Sequence, residues 1–158
     1  MDTTTLPVRP TTAADLAELV GKELGPTEWY EVTQERVNVF ADATDDHQWI
    51  HIDVEKAAAS PLGGTIAHGL FSLSLGPHLS GQVLAFDGFT HGLNYGYNKV
   101  RFPAPVPVGS RIRMRVTVVA AEEVAGGIQV TTSQVIEREG SDKPVMVAES
   151  LARVVAAS

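Results

Sequence analysis

Apolar and polar positions along the chain fall into two regimes that meet near residue 92. Before it the spacing is helical. Leu16, Leu19 and Val20 recur at three- and four-residue intervals behind Thr12, whose hydroxyl suits a helix start, and the run ends near Gly21 or Gly25. Val37, Phe40 and Ala41 repeat that spacing behind Thr33. Between the two, residues 28–33 (EWYEVT) predict a strand, with Trp29 and Tyr30 supplying β-propensity. Residues 42–51 (DATDDHQWIH) break the period and predict a loop. Asp53 then stands as the cap of a short helix over 54–59, stopped by Ser60-Pro61. The apolar stretch 66–84, rich in small residues, predicts a buried helix that Pro77 kinks or ends.

After residue 92 the period becomes two. Residues 92–102 predict one strand, and 110–121 a second, in which Arg111, Arg113 and Arg115 alternate with Ile112, Met114 and Val116. Gly126-Gly127 turns into a strand over 128–137, and residues 140–143 turn into another over 144–155, so the last three form a meander. Pro103, Pro105 and Pro107 are spaced by two, unlike PxxP ligands, and predict a stiff connection between strands. One buried helix followed by an antiparallel sheet is an α+β arrangement. The expected organisation is a flexible arm over 1–12 and a single domain over 13–158.

Composition narrows the function classes. A chain of 158 residues with 44% hydrophobic and 20% charged residues is an ordinary globular protein. Its net charge of −7 argues against a general nucleic-acid or anionic-membrane binder. The absence of cysteine removes disulfides, thiolate zinc sites and cysteine nucleophiles. No apolar run approaches the ~20 residues of a membrane helix, and the N-terminus lacks a signal-peptide pattern, which makes the cytoplasm the expected location.

Candidate chemistry concentrates in Asp45-Asp46-His47-Gln48-Trp49-Ile50-His51. Three readings fit it. The segment is a polar loop with capping aspartates, or a metal site using His47 and His51 with Asp45 or Asp46, or a general acid–base pair in which a carboxylate and an imidazole share a water. The following Ala67-His68-Gly69 favours the third. It opens the apolar segment as a helix start, where backbone N–H groups lack partners and suit an oxyanion, and Gly69 lets a carbonyl approach its amide.

Residues 40–53 (FADATDDHQWIHID), with Gly64-Thr65-Ile66-Ala67-His68-Gly69, resemble the hydratase motif of MaoC-like dehydratases and (R)-specific enoyl-CoA hydratases. Residues 94–109 (NYGYNKVRFPAPVPVG) resemble the strand that follows the helix in the nodulation-protein-N-like subgroup. The likeness spans about residues 15–155. It implies a hot-dog fold, a long helix wrapped by an antiparallel sheet, usually as a homodimer. It also implies a catalytic Asp–His pair five residues apart and a glycine amide on the thioester carbonyl, which map onto Asp46, His51 and Gly69. Asp45 and His47 do not fit that spacing. Gln48-Trp49 departs from the Asn-Pro of many relatives, and Pro77 from a serine that some carry.

The function so implied is hydration of a trans-2-enoyl-CoA to the (3R)-hydroxyacyl-CoA, with an acyl-CoA thioester as substrate and no cofactor. The alternatives are a dehydratase for chains on a carrier protein and a non-catalytic acyl-thioester-binding module. A hot-dog thioesterase generally needs an acidic residue in or beside the central helix, and residues 66–75 have none. Arg111, Arg113 and Arg115, with Lys99 and Arg101, are either a coenzyme A phosphate patch or a solvated strand face.

Overall fold

The computed structural model describes residues 5–156. Six short helices are followed by four long strands. Helix α1 (Ala13–Leu19) is closed by a capping box, Thr12 accepting from the Asp15 amide and Asp15 accepting from the Thr12 amide, and it buries Leu16 and Leu19. Two short strands, β1 (Glu23–Leu24) and β2 (Tyr30–Glu31), lead to α2 (Gln34–Thr44), capped by Thr33. Helices α3 (Trp49–Ile52), α4 (Val54–Ala58), α5 (Gly69–Ser74) and α6 (Gly76–Ser80) follow. The long strands are β3 (His91–Arg101), β4 (Arg111–Val124), β5 (Gly127–Arg138) and β6 (Met146–Val155).

The sheet is antiparallel in the order β1-β4-β5-β6-β3, with β2 also paired to β4. The meander β4-β5-β6 is as expected, and β3 closes onto its far side. Alternation determines the faces. Ile112, Met114, Val116 and Val118 of β4 are buried, whereas the intervening arginines are not. Val37, Phe71, Leu79 and Val83 pack on that inner face from the helical layer. Burying each such side chain contributes about 1.5–3 kcal/mol relative to exposure.

Four expectations change. The loop over 42–51 is narrower, because α2 runs on to Thr44 and Trp49–Ile52 forms a helical turn. The single buried helix is two, α5 and α6, meeting at Leu75. Pro77 is the cause: it is tolerated in the first turn of α6, where it removes no hydrogen bond of that helix. The strand over 28–33 shortens to Tyr30–Glu31. The arm over 1–12 lies partly outside the described residues. Within them Val8 is buried, its amide donating to the Val83 carbonyl and its carbonyl accepting from Ala85, so this part is docked on the core rather than free.

Candidate active site

The site is assembled where α2 stops. Asp45 adopts a left-handed conformation (φ 58°), its amide and that of Asp46 both reaching the Ala41 carbonyl. Aspartate tolerates this region better than most residues. The turn throws the chain across the helix end and leaves Asp46 half-exposed, facing the start of α5.

His51 is held from two sides. Its carbonyl accepts from Gln34 Nε2 at 2.7 Å, and Gln34 Oε1 accepts from the Thr65 hydroxyl at 2.6 Å. Its ring Nδ1 lies 2.7 Å from the Ile66 carbonyl, while the Ile66 amide donates to the Ile50 carbonyl. A carbonyl can only accept, so Nδ1 carries the proton and the neutral ring keeps its lone pair on Nε2. The proline-rich connection supports this segment: Ala67 donates to the Val106 carbonyl and Val108 to that of Thr65.

His68, the residue that precedes α5, completes the cluster. It is 3% exposed, and its ring stacks on that of His51 with centroids 3.7 Å apart and planes 23° from parallel. Its Nε2 donates to the Asp46 carbonyl at 3.0 Å, and Phe40 packs on its ring at 4.9 Å. One ligand-capable atom from each of Asp46, His51 and His68 lies within 4.8 Å of the others. Such a spacing also admits a metal ion, but the geometry does not suit one. Imidazole lone pairs lie in the ring plane, so stacked, nearly parallel rings direct them side by side, and His68 Nε2 is already committed to a carbonyl. A gap of this size between a carboxylate and an imidazole suits one bridging water.

Of the sequence candidates, Asp46 and His51 therefore come together, with Gly69 next to them as the first residue of α5. Gly69 has a packing reason as well: a Cβ there would come within 2.8 Å of the Phe102 ring. Because α5 has six residues, any oxyanion stabilisation comes from local amides, not from a long helix dipole. His47 is elsewhere, paired with Asp42 at 2.8 Å on the surface. Arg111 and Arg113 stack on Trp29 and pair with Glu139 and Glu137, and Arg115 pairs with Glu23, so their charges are answered within the sheet. The sequence pattern does not mark His68 as a site residue. A lone His before a glycine reads as a helix start, and its partners are distant in the chain.

Comparison with known proteins agrees with this geometry. A family model described as a MaoC like domain matches residues 15–139. The chain belongs to the MaoC-like family. Within it, the chain is 54% identical over 144 residues to the 3-hydroxyacyl-thioester dehydratase Z of Mycobacterium tuberculosis, covering 90% of this chain and 95% of that one. It is 44% identical over 143 residues to the nodulation protein N of Rhizobium leguminosarum bv. viciae, covering 85% and 86%. Among solved structures, the (R)-hydratase from A. caviae involved in PHA biosynthesis superposes with a TM-score of 0.71 at 25% identity, covering 85% and 95%. The helices on an antiparallel sheet are the hot-dog fold of these MaoC-like proteins, and the family is one of dehydratases and hydratases.

Proposed function

We propose that the protein is an (R)-specific enoyl-CoA hydratase, with Asp46 and His51 as the acid–base pair and Gly69 as the oxyanion donor. The observation that carries this reading is the Asp46 carboxylate beside a His51 ring whose Nδ1–H is fixed on the Ile66 carbonyl. A water between them is held over C3 of a trans-2-enoyl thioester. It gives a proton to the pair as its oxygen bonds C3, charge spreads to the thioester oxygen near the Gly69 amide, and the pair returns a proton to C2. One water adds and nothing else is consumed. The names of the relatives support this chemistry, since a thioester dehydratase and an (R)-hydratase run one reaction in opposite directions. Running the pair in reverse would dehydrate a 3-hydroxyacyl chain.

The test is loss of enoyl absorbance with crotonyl-CoA, followed by chiral chromatography of the released 3-hydroxy acid. The expected result is turnover to the (3R) product. Binding of crotonyl-CoA without turnover would replace this reading with that of an acyl-thioester-binding module.

A further inference from the structure

The three groups of the proposed site come from separate stretches of chain. The Asp46 carboxylate stands in the turn after α2, the His51 ring on α3 and the Gly69 amide at the start of α5. His68 meets all three. Its ring Nε2 lies 3.0 Å from the Asp46 carbonyl, its ring face lies on that of His51, and its backbone runs directly into Gly69. The residue is itself anchored: its carbonyl accepts from the Phe71 amide at 3.0 Å, which opens α5, and Phe40 packs on its ring.

Asp46 needs such an anchor. Its side chain is half-exposed, and residues 45–48 belong to no helix or strand. Its amide donates to the Ala41 carbonyl at 3.1 Å, which ties one side of the residue to α2. The His68 ring N–H ties the other side to α5. With both backbone groups held, the carboxylate keeps only its own side-chain rotations.

Packing alone does not explain an imidazole here. A carbonyl can only accept, so His68 Nε2 carries a proton, and in the neutral ring the lone pair falls on Nδ1. That atom is buried without a hydrogen-bond partner. An acceptor in that state has lost its water and gained nothing, whereas a phenyl ring would fill the space without that loss. What the imidazole supplies and a phenyl ring lacks is the donor to Asp46.

We propose that His68 is a positioning residue for the reaction: its Nε2–H holds the Asp46 backbone and its ring plane sets that of His51, so that carboxylate and imidazole meet across one water beside the Gly69 amide. The inference rests on the thioester-hydration reading above. In this role His68 touches neither the water nor the substrate, and its effect passes through Asp46 and His51. It therefore acts on the chemical step and not on substrate binding.

The experiment measures kcat and KM for crotonyl-CoA in the parent and two variants. His68→Phe keeps a flat ring and has no donor; His68→Gln restores a donor through its side-chain amide. His68→Phe is expected to lower kcat by roughly 10²-fold, the loss that a misplaced catalytic group produces, with KM nearly unchanged. His68→Gln is expected to recover most of that loss. Parental kcat in folded His68→Phe overturns the proposal, whether or not KM rises. A folded His68→Gln no faster than His68→Phe overturns the role of the donor. Isotope-edited NMR of the imidazole nitrogens gives a readout that needs neither turnover nor a folded variant. The His68 ring of the parent, assigned through its contact with Phe40, is expected to carry a proton on Nε2 at neutral pH, and a ring bare at Nε2 overturns the proposal. If the parent does not hydrate crotonyl-CoA, the hydratase reading fails, and the NMR decides the hold on Asp46 alone. A proton on Nε2 then supports it, and its absence overturns it.

Discussion

His51 acquires its chemistry from its neighbours. Burial pushes its pKa below the ordinary value of 6.5, opposed by the hydrogen bond to the Ile66 carbonyl, and the adjacent His68 lowers it while Asp46 raises it. The net direction is down, so near neutral pH the ring is uncharged and Nε2 is free to accept a proton. The acid limb of kcat/KM should therefore have its midpoint below 6.5, and a midpoint above that value would remove His51 as the group responsible. Stability follows the same sign. Below 6.5 the unfolded chain binds a proton that the folded chain refuses, so this residue's contribution is level above 6.5 and stability falls as pH drops, flattening only beneath the folded value. Denaturant titrations between pH 5 and 8 on the parent and on His51→Gln should show that this share of the slope disappears in the variant. For the reaction itself, Asp46→Asn and His51→Ala should each lower kcat by roughly 10²–10⁴-fold with the melting transition retained. Near-parental turnover in both would strike down the pair. Gly69 needs a two-part test, because Phe102 occupies the space a side chain would fill. In a Phe102→Ala background that relieves the clash, Gly69→Val should still cost roughly 10²–10³-fold in kcat. Recovery to the rate of Phe102→Ala alone would make Gly69 a packing residue.

What could be read from the sequence followed the length and regularity of each element. Strand β4 alternates over its first eight positions, β5 buries every second position from Ile128 to Ile136, and α1 and α2 carry helical spacing with capping threonines, so each was legible. Strand β6 alternates over only four residues and is marked by the turn before it. Helix α3 was not legible, because four residues cannot display a helical period. The division between α5 and α6 was half legible: Pro77 signals a break, but whether it kinks or ends a helix depends on packing. Asp46, His51 and Gly69 stood out through a family resemblance. His68 joined them only in three dimensions, since its ring bonds a carbonyl twenty-two residues away. Asp45 illustrates the same limit. Its side chain suggested chemistry, whereas its backbone, in the left-handed region, is what ends α2 and aims Asp46. Asp45→Gly should leave stability unchanged or raise it by up to about 1 kcal/mol, because glycine enters this region freely. Asp45→Val should cost about 1–2 kcal/mol. Urea midpoints for the two variants decide it, and a Val variant as stable as the Gly variant would show that the turn adjusts.

At the scale of the whole molecule the sheet has two unequal edges. On one side β4 is covered by β1 and β2. On the other, β3 pairs with β6 along one side, and no strand among the described residues pairs with its outer side. That edge is eleven residues long and exposes Leu93 at 60% and Tyr95 at 58%, a combination that invites pairing with another strand. A second copy satisfies it with the closed two-fold symmetry usual for soluble assemblies. We therefore propose a homodimer joined along β3. Antiparallel pairing about Gly96, the middle of the strand, would set Phe102 of one protomer, and the Gly69 it contacts, opposite the beginning of the partner's β3. The beginning of β3 lines a cavity through Leu93 and Asn94, so pairing would set that cavity of one protomer beside the acid–base site of the other. Assembly and activity should then fall together. Light scattering at micromolar concentration should give twice the mass of one chain, and the double variant Leu93→Lys, Tyr95→Glu should shift it toward one chain and lower kcat/KM. An active parent that scatters as a monomer would refute the dimer. A monomeric variant with parental kcat/KM would refute the sharing of the site, since each protomer would then contain a complete one.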